Sequence, residues 1–453
     1  VTEIPGQRPP ERRAAAPRPA RARAPRRLAS AAAGVVLAST LAACGGASGG
    51  PPTLTWYINP DNGGQAELAA RCTEAAEGRY RIETSLLPRD AASQREQLVR
   101  RLAANDASID IMSLDPIYVP EFAQAGFLAD MPEDVADRVT EGTVQGAVAQ
   151  STWGDELVAI PFTANTQLLW YRTSVAEAAG LDTSASDTWT WEQIVQAAED
   201  QGVLVGAQGI RAESLTVWLN ALVESAGGSI IADHAEDPDR LELGLTSEAG
   251  DRAAEVMAMV AGSDAVGPAF STEDESGSAA GFEGENGGFQ VNWPFIYAQA
   301  QAGVADGVLD QAVLDDYGWA VYPRVDADTP SAPPIGGVSL GVGALSQHPD
   351  LAYEATECIT GDENQAYYMI NEGLPASSAA VFDDPAVVEE FPMADTIRQS
   401  LEQAAPRPQT AYYNEVSGGL QRSYHPPSAV EPGETAERAT ELITAVLRGE
   451  QLL

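Results

Sequence analysis

Between residues 53 and 125 the hydrophobic pattern switches repeatedly between a period of two and a period of about 3.6, which restricts that stretch to strands alternating with helices. Thr53–Ile58 alternates and is rich in β-branched and aromatic residues, the pattern of a strand. Gln65–Gly78 carries apolar residues at 66, 68, 69, 72, 75 and 76, one helical face closed by Gly78. Tyr80–Leu87 reads as a strand, Ala91–Ala104 as a helix and Ile109–Leu114 as a short buried strand that stops at Asp115-Pro116. Glu121–Ala125 continues as a helix to Gly126. This order implies a parallel sheet with helical crossovers, an α/β fold. In such sheets ligands sit beyond the carboxyl ends of the strands, where Asn59–Gly64 and Asp115 fall.

The rest of the chain is less regular. Trp189–Asp200, Ser214–Ala226, Ser247–Ala261 and Phe295–Gly303 read as helices, and Phe289–Asn292 and Trp319–Pro323 as short strands. Gly281–Gly288 reads as a loop, Ile335–Leu345 as a strand, Asp350–Ile370 as a helix and Glu434–Leu447 as an amphipathic helix.

Composition narrows the chemistry. The 453 residues include 26 basic ones, all Arg, against 66 acidic ones, for a net charge of −40. Such a balance argues against nucleic acid as a partner. The absence of Lys removes P-loop and Schiff-base chemistry. Three His with no HExxH or CxxC leave little room for zinc, and no cofactor is expected.

The first segment reads as an address. Residues 1–27 hold eight Arg, and Leu28–Thr40 is a short apolar run, too short for a membrane span of about 20 residues. Leu41-Ala42-Ala43-Cys44 is similar to a bacterial lipobox, in which the cysteine is lipidated. The expectation is a signal peptide over 1–43, a lipidated Cys44 with a flexible tether over 44–52, and a body held outside the cell membrane by its lipid. Cys72 and Cys358 are then the two cysteines left. An exported compartment permits a disulfide, which their isolation favours; two buried thiols are the alternative.

Several segments together carry a resemblance. Ile109-Asp-Ile-Met-Ser-Leu-Asp115, Glu121-Phe-Ala-Gln-Ala-Gly-Phe-Leu128 and Ile160-Pro-Phe-Thr-Ala-Asn-Thr-Gln-Leu-Leu-Trp-Tyr171 resemble family 1 extracellular solute-binding proteins, the carbohydrate receptors of ABC importers. Asn165–Arg172, Val291-Asn-Trp-Pro-Phe295, Ile335-Gly-Gly337, Glu372-Gly-Leu-Pro-Ala376 and Arg407-Pro408, with both remaining cysteines, resemble its mycobacterial trehalose-binding lipoproteins. The resemblance implies a two-lobed periplasmic-binding-protein type II fold, maltose-binding-protein-like, with a hinged ligand cleft. It implies lobe 1 over 53–165 plus 325–372, lobe 2 over 170–322 plus 378–450, and a hinge near 165–170, 320–325 and 372–378. It also implies a monomer that binds a disaccharide, trehalose first, without catalysis, and delivers it to ABC permease subunits and their ATPase.

Disaccharide recognition needs planar polar groups for hydroxyls and a ring for the apolar sugar face. Carried over by resemblance, Asp115 and Asn165 hold hydroxyls, and Asn62 stands where the family member has Asp. Glu275 is a further contact, Trp293 the stacking platform, Gly337 a close backbone contact and Arg407 a fork donating to two hydroxyls. Each residue also has a plainer role open to it. Asp115 is placed to cap the turn after Pro116, and Asn165 to serve in the hinge. Asn62 suits a turn, Glu275 a solvated surface, Trp293 core packing, Gly337 tight packing and Arg407 a carboxylate partner. Gln208 and Glu213 are further cleft candidates, whereas Trp56, Trp189 and Trp191 read as structural.

Two enzyme classes compete with this reading. Gly337-Val-Ser-Leu-Gly341 satisfies G-x-S-x-G, with Asp362 and His425 in the required order. The apolar run through Leu345 argues for a continuing strand where that motif needs a sharp turn into a helix. A glycoside hydrolase would use paired carboxylates such as Asp115 and Glu275.

Overall fold

Nine strands form the two larger sheets in a computed structural model that describes residues 50–88, 91–233 and 237–453. The expected signal peptide and Cys44 lie outside the described residues. The strands are β1 (Thr53–Ile58), β2 (Arg81–Leu86), β3 (Ile111–Leu114), β4 (Ile160–Thr166), β5 (Leu168–Arg172), β6 (Leu204–Gly206), β7 (Gly287–Asn292), β8 (Tyr317–Ala320) and β9 (Ile335–Val342). The five-stranded sheet runs β2-β1-β3-β9-β4, with β9 antiparallel to both its neighbours. The four-stranded sheet runs β8-β5-β7-β6, with β5 antiparallel to β7 and β8.

Each sheet is covered on both faces, and strand alternation assigns the side chains. Leu54, Trp56, Ile58 and Ile111 belong to one buried cluster, with Leu68 and Cys72 of the helix Gly64–Ala75. Tyr57, Met112 and Leu114, one residue out of phase, belong to another. Likewise Leu168 and Trp170 enter one core while Leu169 and Tyr171 enter a second. This is the layered packing of an α/β chain. Trp56, Trp189 and Trp191 are buried in these cores.

The structure departs from the sequence reading at two places. The expected loop Gly281–Gly288 is instead the end of a helix, Glu275–Glu283, followed by the start of β7. Gly287 admits no side chain, because a Cβ there would meet the Phe282 carbonyl, so the glycines serve a tight helix-to-strand turn. The single helix expected over Asp350–Ile370 is two, Pro349–Ile359 and Asp362–Glu372, broken at Thr360-Gly361. The Gln365 side chain donates to the freed Thr360 carbonyl at 2.6 Å, which offsets the break. Strands β4 and β5 follow each other directly. They are separated by Gln167 alone, and β5 leaves for the other sheet.

Cys72 and Cys358 are bonded, S–S 2.10 Å, joining the helices Gly64–Ala75 and Pro349–Ile359 across 286 residues of sequence.

The helix Glu213–Ser225 is buried on nearly every side, which explains its continuous apolar run. Near its end Glu224 hydrogen-bonds Ser229, and burial pushes its carboxyl up to about 7. Between the ordinary value of 4.5 and about 7 the folded chain therefore keeps a proton that the unfolded chain has lost. Stability from this group falls as pH rises through that window and stays low above it. Glu224→Gln is expected to remove this slope and to add about 2–3 kcal/mol at pH 8. Urea unfolding at pH 5 and pH 8 checks both statements.

Candidate ligand-binding site

The strand directions bring two sets of carboxyl ends to one place. In the five-stranded sheet β1, β2, β3 and β4 all end at the edge where β9 begins. In the four-stranded sheet β6, β7 and β8 end at the edge where β5 begins. Because β4 passes to β5 through Gln167, these edges meet there. The Gln167 amide donates to Gln208 Oε1 at 2.9 Å, and Gln208 donates to the Val291 carbonyl at 2.8 Å. Gln208 is fully buried, so it is a strut of this junction.

Arg407 stands at the centre. Its Nη2 donates to Asp115 Oδ1 at 2.8 Å and its Nη1 to Glu213 Oε1 at 3.2 Å. Asp115 is placed by the end of β3, and its side chain also accepts from the Ile117 N–H at 3.2 Å, so it caps the turn and pairs with Arg407 at once. Glu213 opens the helix Glu213–Ser225. Arg407 is only 7% exposed, whereas the Asp115 and Glu213 side chains keep 25% and 39% of their surface. The two carboxylates thus border the space the guanidinium closes off. Burial alone would lower the Arg407 pKa, but Asp115, Tyr413 and Glu213 outweigh it and hold the charge firmly. Burial raises Glu213 above the usual carboxylate range, against the pull of Arg407, Tyr413 and Ser417.

Trp293 follows β7 and reaches the same corner. A Cβ placed on Gly336 would lie 3.4 Å from Trp293 Cη2 and 3.9 Å from Arg407 Nη2. The half-buried indole, the glycine backbone and the guanidinium therefore adjoin one another. Glu275 opens its helix beside this group and hydrogen-bonds Trp293; burial raises its carboxyl above the ordinary range. Asn292 secures the pair, with its amide donating to the Glu275 carbonyl at 2.9 Å and its Oδ1 accepting from the Trp293 N–H at 2.9 Å. Asn165 lies opposite Gly336 in the β4–β9 register, and its Oδ1 accepts from the Thr166 N–H at 3.0 Å.

Asp115, Arg407, Trp293, Glu275 and Asn165 are thus assembled. Gly337 is next to them, but its identity has a backbone cause. Its φ is +125°, and a Cβ would run into the Thr163 carbonyl. Asn62 sits in an exposed loop beyond β1, at the same sheet edge but in its own network. Its N–H donates to Glu372 Oε2 at 2.9 Å, and Asp61 accepts from Gly63 and Gln65. Tyr413 and Ser417, which hold Glu213, lie in a segment whose periodicity marks nothing unusual.

The G-x-S-x-G serine is not at a turn. Ser339 lies inside β9, buried, sharing a 2.8 Å hydrogen bond with Ser151 Oγ. The His425 ring instead meets the Ser271 carbonyl at 3.0 Å. Among the described residues no group of three or more His, Cys, Asp or Glu is disposed to hold a metal ion, and no helix is long and apolar enough to cross a membrane.

Known proteins agree with this architecture. The family model described as bacterial extracellular solute-binding protein matches residues 76–366. A probable ABC transporter-binding protein of Deinococcus radiodurans is 24% identical over 344 residues, 73% of this chain and 78% of that protein. The sugar-binding protein MalE of Xanthomonas citri superposes with a TM-score of 0.74 at 16% identity, covering 88% of this chain and 98% of that one. The cyclic alpha-maltosyl-1,6-maltose binding protein of Arthrobacter globiformis gives 0.71 at 20% identity, covering 88% and 100%. Carrying a MalE-like periplasmic-binding-protein fold, the chain belongs to the bacterial extracellular solute-binding protein family.

Proposed function

We propose that this protein is the sugar receptor of an ABC importer, binding a disaccharide, trehalose first, and delivering it to the permease subunits and their ATPase. The observation that carries the reading is the Asp115–Arg407–Glu213 cluster beside Trp293, at the junction of the two carboxyl edges. Fixed charged acceptors and donors match sugar hydroxyls, and an indole matches the apolar face of a pyranose. The fold neighbours named as sugar- and maltosyl-maltose-binding proteins support the same class of ligand.

In this reading Asn62, Asp115, Asn165, Glu275, Trp293, Gly337 and Arg407 line the ligand. Residues 53–165 plus 325–372 and residues 170–322 plus 378–450 act as two lobes that hinge near 165–170, 320–325 and 372–378. A sugar touching both lobes favours the closed form, which the permease recognises. Cys44 carries the lipid that keeps the monomer at the outer face of the membrane.

Calorimetric titration of residues 45–453 with trehalose, maltose, sucrose and glucose tests the reading, with the sugar recovered afterwards. Saturable binding of trehalose, returned intact, is the expected result, and Asp115→Ala is expected to weaken it at least about tenfold. Tight binding of another sugar would remove the trehalose assignment and keep the receptor. Cleaved sugar would replace the receptor with a glycoside hydrolase.

A further inference from the structure

We propose that Tyr413 is a positioning residue for the ligand site, orienting the Arg407 guanidinium through Glu213; the inference rests on the receptor reading for its effect on sugar. Tyr413 begins the helix Tyr413–Tyr424 and is almost fully buried. Its phenol donates to Glu213 Oε1, the oxygen that also accepts from Arg407 Nη1. One turn later Ser417 Oγ donates to Glu213 Oε2 at 2.9 Å. Ser417 is itself fixed by Thr216 Oγ1 at 2.8 Å and by the Gln421 amide at 3.0 Å. One helix therefore holds both oxygens of Glu213.

The same helix reaches between the two cores. The Tyr413 ring belongs to the cluster of Met112, Ile117 and Tyr118 on the five-stranded sheet. Val416, Leu420 and Tyr424 belong to the cluster on the four-stranded sheet. Tyr118 adds a second tie, its hydroxyl lying 3.4 Å from Asn414 Oδ1. The first turn of this helix thus ties Glu213 to the Pro116–Tyr118 turn that follows Asp115.

Arg407 depends on that geometry. Its backbone is pinned separately, with Asn220 Nδ2 donating to the Pro406 carbonyl at 3.0 Å and Gln409 Nε2 to the Arg407 carbonyl at 3.0 Å. Its Nε is buried with no hydrogen-bond partner among the described residues, so the orientation of the fork rests on the two carboxylates. Tyr413 and Ser417 join Arg407 in lowering the Glu213 carboxyl against the rise that burial causes.

The test compares Tyr413→Phe, Glu213→Gln and the control Tyr424→Phe in the full chain. Tyr424 lies on the same helix with a buried hydroxyl that has no hydrogen-bond partner among the described residues. Nitrogen-15 arginine spectra of the ligand-free protein report rotation of the guanidinium, with the Arg407 signal assigned by its loss in Arg407→Met. Calorimetry reports trehalose affinity. The wild type and Tyr424→Phe are expected to show a slowly rotating Arg407 fork and the same affinity. Tyr413→Phe and Glu213→Gln are expected to speed the rotation and to weaken trehalose about tenfold. An Arg407 signal unchanged in Tyr413→Phe overturns the proposal, whatever the affinity and Glu213→Gln do. If Tyr413→Phe does not fold, Tyr413→Leu takes its place in the same comparison. If the wild type binds no sugar, the receptor reading fails while the spectra still decide whether Tyr413 positions Arg407.

Discussion

Arg407→Met is expected to abolish measurable sugar binding and to lower the free energy of unfolding by about 3 kcal/mol. The methionine keeps most of the aliphatic volume, so the loss comes from charge and hydrogen bonds. It removes the donors that Asp115 and Glu213 share and leaves both carboxylates facing each other across the vacated position. Breaking a buried ion pair costs about 3–5 kcal/mol. The low end applies because Glu213 keeps 39% of its side chain open to water. The sign with pH is also set. Glu213 already sits above the usual carboxylate range because of its burial, and losing Arg407 moves it further up. An acid raised in the folded state is tolerated when protonated and destabilising when charged, so the deficit narrows as pH falls toward the carboxylate range. Urea unfolding of wild type and variant at pH 7 and pH 4.5 measures this. Arg407→Met combined with Glu213→Gln is expected to recover part of the loss, because one of the stranded charges is gone. A variant as stable as the wild type at pH 7 would refute the account.

Removing the Cys72–Cys358 bond is expected to lower stability by about 2–5 kcal/mol. The bond closes a loop spanning 286 residues, so it restricts the unfolded chain over most of its length. It also joins two helices that cover one face of the five-stranded sheet, which come from opposite ends of the sequence. The loss should therefore appear in the transition that unfolds this sheet. A Cys72→Ala/Cys358→Ala variant, compared with the oxidised wild type in urea, gives the number. Wild type in reductant should fall to the same midpoint. Sugar affinity of the folded variant is expected to stay near that of the wild type, since neither cysteine is a partner in the Arg407 hydrogen-bond network. An unchanged urea midpoint would mean that packing alone holds the two helices.

Much of the architecture was legible along the chain because it is local. The alternation from Thr53 to Leu114 names three parallel strands, and the edge they share places Asp115 and the Asn62 loop before any coordinate is known. Asp115 was also readable as a cap, and it is one. Gly337 was readable as a packing glycine, and its positive φ supplies that reason. These are properties of a residue and its near neighbours. Periodicity says less where one strand follows another directly. In Ile160–Arg172 the polar residues Thr163, Asn165, Thr166 and Gln167 interrupt the apolar ones, but the pattern does not tell that the chain passes there from one sheet to another. Gly281–Gly288 looked like a loop because glycine marks flexibility in sequence and close approach in a packed turn.

The site divides in the same way. Its residue types stand in motifs along the chain, but their assembly is decided only in three dimensions. Arg407 meets Asp115 across 292 positions and Glu213 across 194, and Tyr413 meets Glu213 across 200. No local pattern encodes such pairs, because helix and strand periods report which face is buried and not what buries it. The sequence by itself determined the α/β class, the strand edge that carries the site and the scarcity of basic residues available to fill it. Only the tertiary structure decided that one buried arginine would take two carboxylates, since the cost of burying its charge is met by partners that folding alone brings within reach.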